Sequence, residues 1–131
     1  MIEVYVDGAA KGNPGPSGAG IFIKADGEVH RYSIPLGIYN NHEAEYLALI
    51  HALKICLEKK YEVISVRTDS RHVADAMEKE FVKKEPYRQL LNQALELAAQ
   101  FSLFFIKWIP ESQNKSADLL SRKAVQLNKE Q

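Results

Sequence analysis

The order of hydrophobic periods along the chain limits its fold more than any single motif does. Residues 1–38 carry strand-like patterning, and from Asn40 onward helical and strand patterns alternate. Met1–Asp7 (MIEVYVD) places Val4, Tyr5 and Val6 in a buried β-strand that stops at Asp7-Gly8. Gly8–Gly20 (GAAKGNPGPSGAG) is dense in glycine and proline, which predicts an irregular loop. It reads either as a flexible hairpin connection or as bare backbone able to approach a phosphate. It lacks the Gly-Lys-Ser/Thr ending of a P-loop. Ala19–Lys24 is a second strand, Asp26-Gly27 a hairpin turn, and Val29–Ile38 a third strand in which Pro35 marks an edge or a bulge.

Asn40 and Asn41 each suit a helix cap, and Ala44, Leu47, Ala48 and Ile55 follow at helical spacing. Leu49, Ile50, Leu53 and Leu57 widen the apolar surface, so this helix is expected to be largely buried. Glu62–Asp69 reads as a strand, Arg71–Glu80 as a helix, and Pro86–Gln100 as another. Phe101–Ile109 is a nearly unbroken apolar run, which predicts an interior strand covered on both faces with Trp108 in the core. Pro110–Lys115 is a polar loop and Ser116–Leu127 a closing helix. Hairpin-linked strands run antiparallel and strands joined by helical crossovers run parallel. The chain is therefore expected to be α/β, with helices packed on the faces of a mixed sheet. One domain over residues 1–128 is expected, with a frayed end at 129–131.

Lys plus Arg and Asp plus Glu number 17 each, so the net charge is zero. A polyanionic partner would need a local basic patch. Cys56 is the lone cysteine, which excludes an intrachain disulfide and suits a reducing, cytoplasmic setting. No leader or membrane-spanning apolar run is visible, so no membrane partner is expected, and a monomer is expected.

Four acids fall at element ends: Asp7 and Asp69 where strands stop, Glu45 and Asp118 near helix starts. In a mixed sheet, Asp7 and Asp69 can share one end of neighbouring parallel strands, the edge where open α/β sheets bind ligands. Each also has a plain reading as a turn, a solvated helix residue or a first-turn acid favoured by the helix dipole. Together, ionised carboxylates repel unless cations lie among them. An oxygen-only set suits Mg²⁺ or Mn²⁺, and two such ions can support phosphodiester hydrolysis.

Four motifs then arrive in order. Asp7-Gly8-Ala9 with Gly12-Asn13-Pro14-Gly15, Asn40-Asn41-His42-Glu43-Ala44-Glu45-Tyr46, Thr68-Asp69-Ser70, and Asn114-Lys115-Ser116-Ala117-Asp118-Leu119-Leu120 resemble those of type 1 ribonuclease H, over nearly the whole length of that domain. The resemblance implies a five-stranded mixed sheet, three antiparallel strands then parallel ones, with helices on both faces. It implies cleavage of the RNA strand of RNA–DNA hybrids with two divalent ions held by Asp7, Glu45, Asp69 and Asp118. Gly8, Gly12, Asn13, Asn41 and Ser70 would be substrate-binding, with Asn13 and Asn41 facing the hybrid, where 2′-hydroxyls distinguish RNA from DNA. Asn41 also reads as a helix cap.

The chain departs from the family in three places. Many relatives carry a histidine in the loop before the last aspartate; here Ile109–Ala117 holds none, and its acid, Glu111, reads as solvated. The basic insertion of some relatives shrinks to Glu78–Arg88, where Lys79, Lys83, Lys84 and Arg88 interleave with glutamates. His42 replaces the second asparagine of the paired motif, and His30, His51 and His72 read as structural. Weak hybrid binding with a shallow salt slope is therefore expected. A catalytically weak binding module of the same fold, or a nuclease for another nucleic acid, stays open as an alternative.

Overall fold

The computed structural model describes residues 1–129. Strands β1 (Ile2–Ala10), β2 (Gly15–Ala25) and β3 (Glu28–Tyr39) open the domain, followed by α1 (Asn41–Glu58), β4 (Val63–Thr68), α2 (Arg71–Lys79), α3 (Tyr87–Ala98), β5 (Leu103–Trp108) and α4 (Lys115–Lys129). The five strands form one sheet in the order β3-β2-β1-β4-β5. β1–β2 and β2–β3 pair antiparallel, while β1–β4 and β4–β5 pair parallel. This is the expected mixed sheet. The expected frayed end falls mostly on residues 130–131, outside the described residues, and the α4 backbone runs through Lys129.

Strand alternation divides the sheet into two faces. Val4, Val6, Ile21, Ile23, Ile64 and Val66 point into the main core with Leu49, Ile50 and Leu53 of α1, all at most 2% exposed. α1 begins where Asn40 caps it: the Asn40 side chain accepts from the Glu43 N–H, and Glu43 returns the contact to the Asn40 N–H. α4 lies on the opposite face, against β1, β2 and β3.

Two expectations are corrected. Residues 8–20 are not an irregular loop: β1 runs on through Ala10 and β2 starts at Gly15, so Asp7 is inside a strand, paired with Gly20. The small residues there serve close packing. A Cβ on Gly20 would lie 2.1 Å from the Ala117 carbonyl oxygen and 2.4 Å from the Ser121 nitrogen, both α4 backbone. Gly20→Ala should force α4 off β2 at a cost of about 1–3 kcal/mol, readable as a lower urea midpoint with an unchanged slope. An unaltered midpoint would show that α4 yields freely.

The second correction concerns β5, which lies at the edge of the sheet and is covered on one face only. Phe104 and Ile106 pack against the core, whereas Leu103 is 55% and Phe105 46% exposed. Five strands with β4 between β1 and β5 leave β5 no outer neighbour, whatever its apolarity. Trp108 is likewise 37% exposed rather than core. Pro35 sits on the edge strand β3, beside a register shift opposite Ser17 and Gly18.

Candidate active site

β1 and β4 run parallel with Val6 level with Thr68, so the next residues, Asp7 and Asp69, stand at the same sheet edge. α1 brings Glu45 to this edge because Gly8 lets its N-terminal backbone approach: a Cβ on Gly8 would lie 2.3 Å from the Ala44 carbonyl carbon and 2.5 Å from the Glu45 nitrogen. The structure thus gives Gly8 a packing role. Asp118 comes from the first turn of α4.

The acids feel one another's charge. The Asp7 carboxyl is pushed up from 3.8 to about 7, first by burial and then by the charges of Asp69, Asp118 and Glu45, against a lowering hydrogen bond from Ser121. Burial likewise raises Glu45, with Asp69 adding to it. Burial raises Asp69, with Glu111 and Asp118 adding to it.

Each acid has a neighbour of its own. The Ser121 hydroxyl lies 2.6 Å from Asp7 Oδ2 and 2.9 Å from the Asp118 carbonyl oxygen. Asn114, 1% exposed, donates from Nδ2 to Asp69 Oδ2 at 3.0 Å and to the Val6 carbonyl at 2.9 Å. His42 Nδ1 meets Glu45 Oε1 at 2.9 Å, and the Ser70 hydroxyl also reaches Glu45. Arg122 Nη2 meets Asp118 Oδ2 at 2.7 Å. Among the described residues, no three His, Cys, Asp or Glu side chains are placed to enclose an ion together.

The other expected site residues are placed as follows. Asn13 Oδ1 accepts from the Asn41 N–H at 3.3 Å, and Asn41 Oδ1 accepts from the Ala10 N–H at 3.2 Å, so the pair ties the β1–β2 turn to the start of α1. Gly12 occupies that turn at φ +111°. Ser70, 5% exposed, caps α2 by accepting from the Val73 N–H. It supports the start of α2.

Sequence reasoning assigned no role to four supports of the site. Asn114 lies inside the fourth motif, and its burial was the missing signal. Ser121 sits one helical turn beyond Asp118, a spacing that could have placed it. Trp108 donates its indole N–H to the Asp69 carbonyl at 3.0 Å beneath the Arg71 guanidinium, 3.8 Å from the ring centroid. His42 stacks on His72 at 4.2 Å, beside Tyr46 and Tyr87. This cluster fixes the His42 ring against Glu45.

Residues 5–124 match the Reverse transcriptase-like family. The chain is 44% identical to EbsB of Enterococcus faecalis over 96% of its own length and 95% of that protein. Its structure superposes on ribonuclease H1 of the archaeon Halobacterium salinarum with a TM-score of 0.90, at 31% identity, covering 95% of this chain and 97% of that one. It also superposes on LC11-RNase H1, isolated from compost and solved in complex with an RNA/DNA hybrid, with a TM-score of 0.88 at 30% identity, covering 96% and 97%. The five-stranded order, the shared edge of Asp7 and Asp69 and these matches agree, and the chain belongs to the reverse transcriptase-like, type 1 ribonuclease H family.

Proposed function

We propose that the protein is a metal-dependent endonuclease that hydrolyses the RNA strand of RNA–DNA hybrids. The observation that carries this reading is the register that sets Asp7 and Asp69 at one sheet edge of a type 1 ribonuclease H fold, with Glu45 and Asp118 near enough to raise the Asp7 carboxyl. The hybrid bound in the LC11-RNase H1 structure supports the substrate class.

The side chains fit a hard divalent ion. The set is all carboxylate oxygen, and its burial leaves the metal-free Asp7 half protonated near pH 7, a cost that a cation would relieve. Asp7, Glu45, Asp69 and Asp118 would hold two Mg²⁺ or Mn²⁺ ions. When bound, such ions supply an activated water and charge neutralisation at the leaving oxygen. The rest is done by the chain. Ser121, Asn114 and His42 aim the carboxylates of Asp7, Asp69 and Glu45, and Arg122 offsets the charge of Asp118. Asn13 and Asn41 spend their carbonyl oxygens on backbone N–H groups, so their amide hydrogens are the ones available to 2′-hydroxyls. Residence in the cytoplasm as a monomer belongs to the same proposal.

The test is incubation with labelled hybrid, duplex RNA and single strands, with Mg²⁺ and with Mn²⁺. RNA-strand cleavage confined to the hybrid is expected. Equal cleavage of duplex RNA would move the substrate to another nucleic acid. Hybrid binding without cleavage under either ion would make the domain a binding module.

A further inference from the structure

The sheet face opposite the main core is covered by α4 over β1–β3, and its remainder is open. One row crosses all five strands there in register: Arg31, Phe22, Tyr5, Arg67 and Lys107. The adjacent row carries Lys24, and Phe105 at 46% exposure. Cations lie over the rings: Arg31 is 5.2 Å from the Phe22 centroid, while Lys24 and Arg67 are 5.6 and 5.5 Å from that of Tyr5. A cavity of about 270 Å³ on this face is lined by Tyr5, Phe22, Lys24 and Lys115, and a neighbouring one of about 500 Å³ by Tyr5, Arg67 and Lys107.

Cations outnumber acids on this face, and Glu3 stands opposite Lys24 in the adjacent row. Glu3 is the acid lining the second cavity, and it is taken by Arg67 at 2.7 Å. Among the described residues, Lys24, Arg31, Lys107 and Lys115 have no ion-pair partner. A chain with zero net charge has therefore gathered more cations than acids on one partly aromatic surface. Several cations on one face suit a polyanion. An exposed aromatic at the edge suits an unpaired base, whose π-face a duplex would hide.

We propose that this open sheet face binds single-stranded nucleic acid, with phosphates on Arg31, Lys24, Lys107 and Lys115 and a base against Phe105. The row lies one step along β1 from Asp7, and the proposal does not depend on the proposed catalytic activity.

The test is binding of a labelled single-stranded oligonucleotide by the whole protein in chelator, over a salt series. The variants are Arg31→Gln/Lys107→Gln and, separately, Phe105→Ser, all at exposed positions, with thermal unfolding as a check on folding. The double variant should weaken binding about tenfold and flatten the salt slope by roughly 1.4, the release expected for two phosphates of a single strand. Phe105→Ser should weaken binding while leaving the slope in place. Hybrid cleavage, wherever the parent shows it, should persist in both. The proposal is overturned if folded variants bind as the parent does, if polyglutamate competes as well as the oligonucleotide, or if hybrid duplex displaces the single strand and both variants lose cleavage along with binding. The last result would place the single strand at the carboxylate edge.

Discussion

Asp7→Asn is expected to reduce hybrid cleavage to background while making the metal-free protein more stable at pH 8. The carboxyl ionises at 3.8 in an unpaired state and at about 7 in the fold, where burial and three neighbouring acids oppose its charge. Between those values the folded state holds a proton that the unfolded chain has released. Stability therefore falls as pH rises from about 4 and has lost this contribution above about 7. At ~1.4 kcal/mol per pH unit, the raised Asp7 costs the ionised fold roughly 4 kcal/mol. Asn has the same shape and no charge to bury. The measurement is urea unfolding of parent and variant in chelator from pH 4 to pH 8. The variant's advantage should be near zero at the acid end and grow through neutrality. Added Mg²⁺ or Mn²⁺ should then stabilise the parent by binding linkage and the variant less. An advantage that does not change with pH would mean that Asp7 is not held near its neighbours as described.

The second large effect is expected at Asn114. Its Nδ2 serves both Asp69 and the Val6 carbonyl, and it is almost fully buried. Asn114→Ala removes both contacts, leaves a buried carbonyl without its donor and opens a small void. The expected loss is about 2–4 kcal/mol, together with a large fall in cleavage, since Asp69 loses the group that aims it. Asn114→Asp keeps the shape but sets a carboxylate against Asp69 and the Val6 carbonyl. At pH 8 it should be the less stable of the two variants, and it should recover toward the parent as acid protonates it. Thermal unfolding of all three proteins at pH 5 and pH 8 reads this order. If Asn114→Asp is the more stable variant at pH 8, the side chain is not the donor between β1 and the fourth motif.

Elements defined by local pattern were legible in the sequence. Alternating strands, the Asp26-Gly27 turn and the Asn40 cap depend on neighbours a few residues away, and the structure has all of them, with β1 and β2 extended by three and four residues into the glycine-rich stretch. β5 was misjudged for a different reason. Leu103, Phe105, Phe104 and Ile106 are all apolar, and composition cannot say which faces have a covering helix; α4 packs on β1–β3, and Leu103 and Phe105 stay exposed. The glycines of residues 8–20 were misread in the same way. A glycine written for a turn looks the same in sequence as one written for an approach of backbone to backbone, as at Gly8 and Gly20.

The sequence by itself determined the mixed sheet, carried the family resemblance in its motifs and named the four acids as candidates, because periodicity, chain order and motif spacing are properties of one dimension. The tertiary structure decided what surrounds them. It set Ser121 beside Asp7, Asn114 beside Asp69 and His42 beside Glu45, and it lined up Arg31, Phe22, Tyr5, Arg67 and Lys107 from five different strands into one row. A chain whose charges sum to zero gives no sign of such a row. Only strand register brings residues so distant in sequence to neighbouring positions, and electrostatic interaction depends on those distances rather than on the total charge.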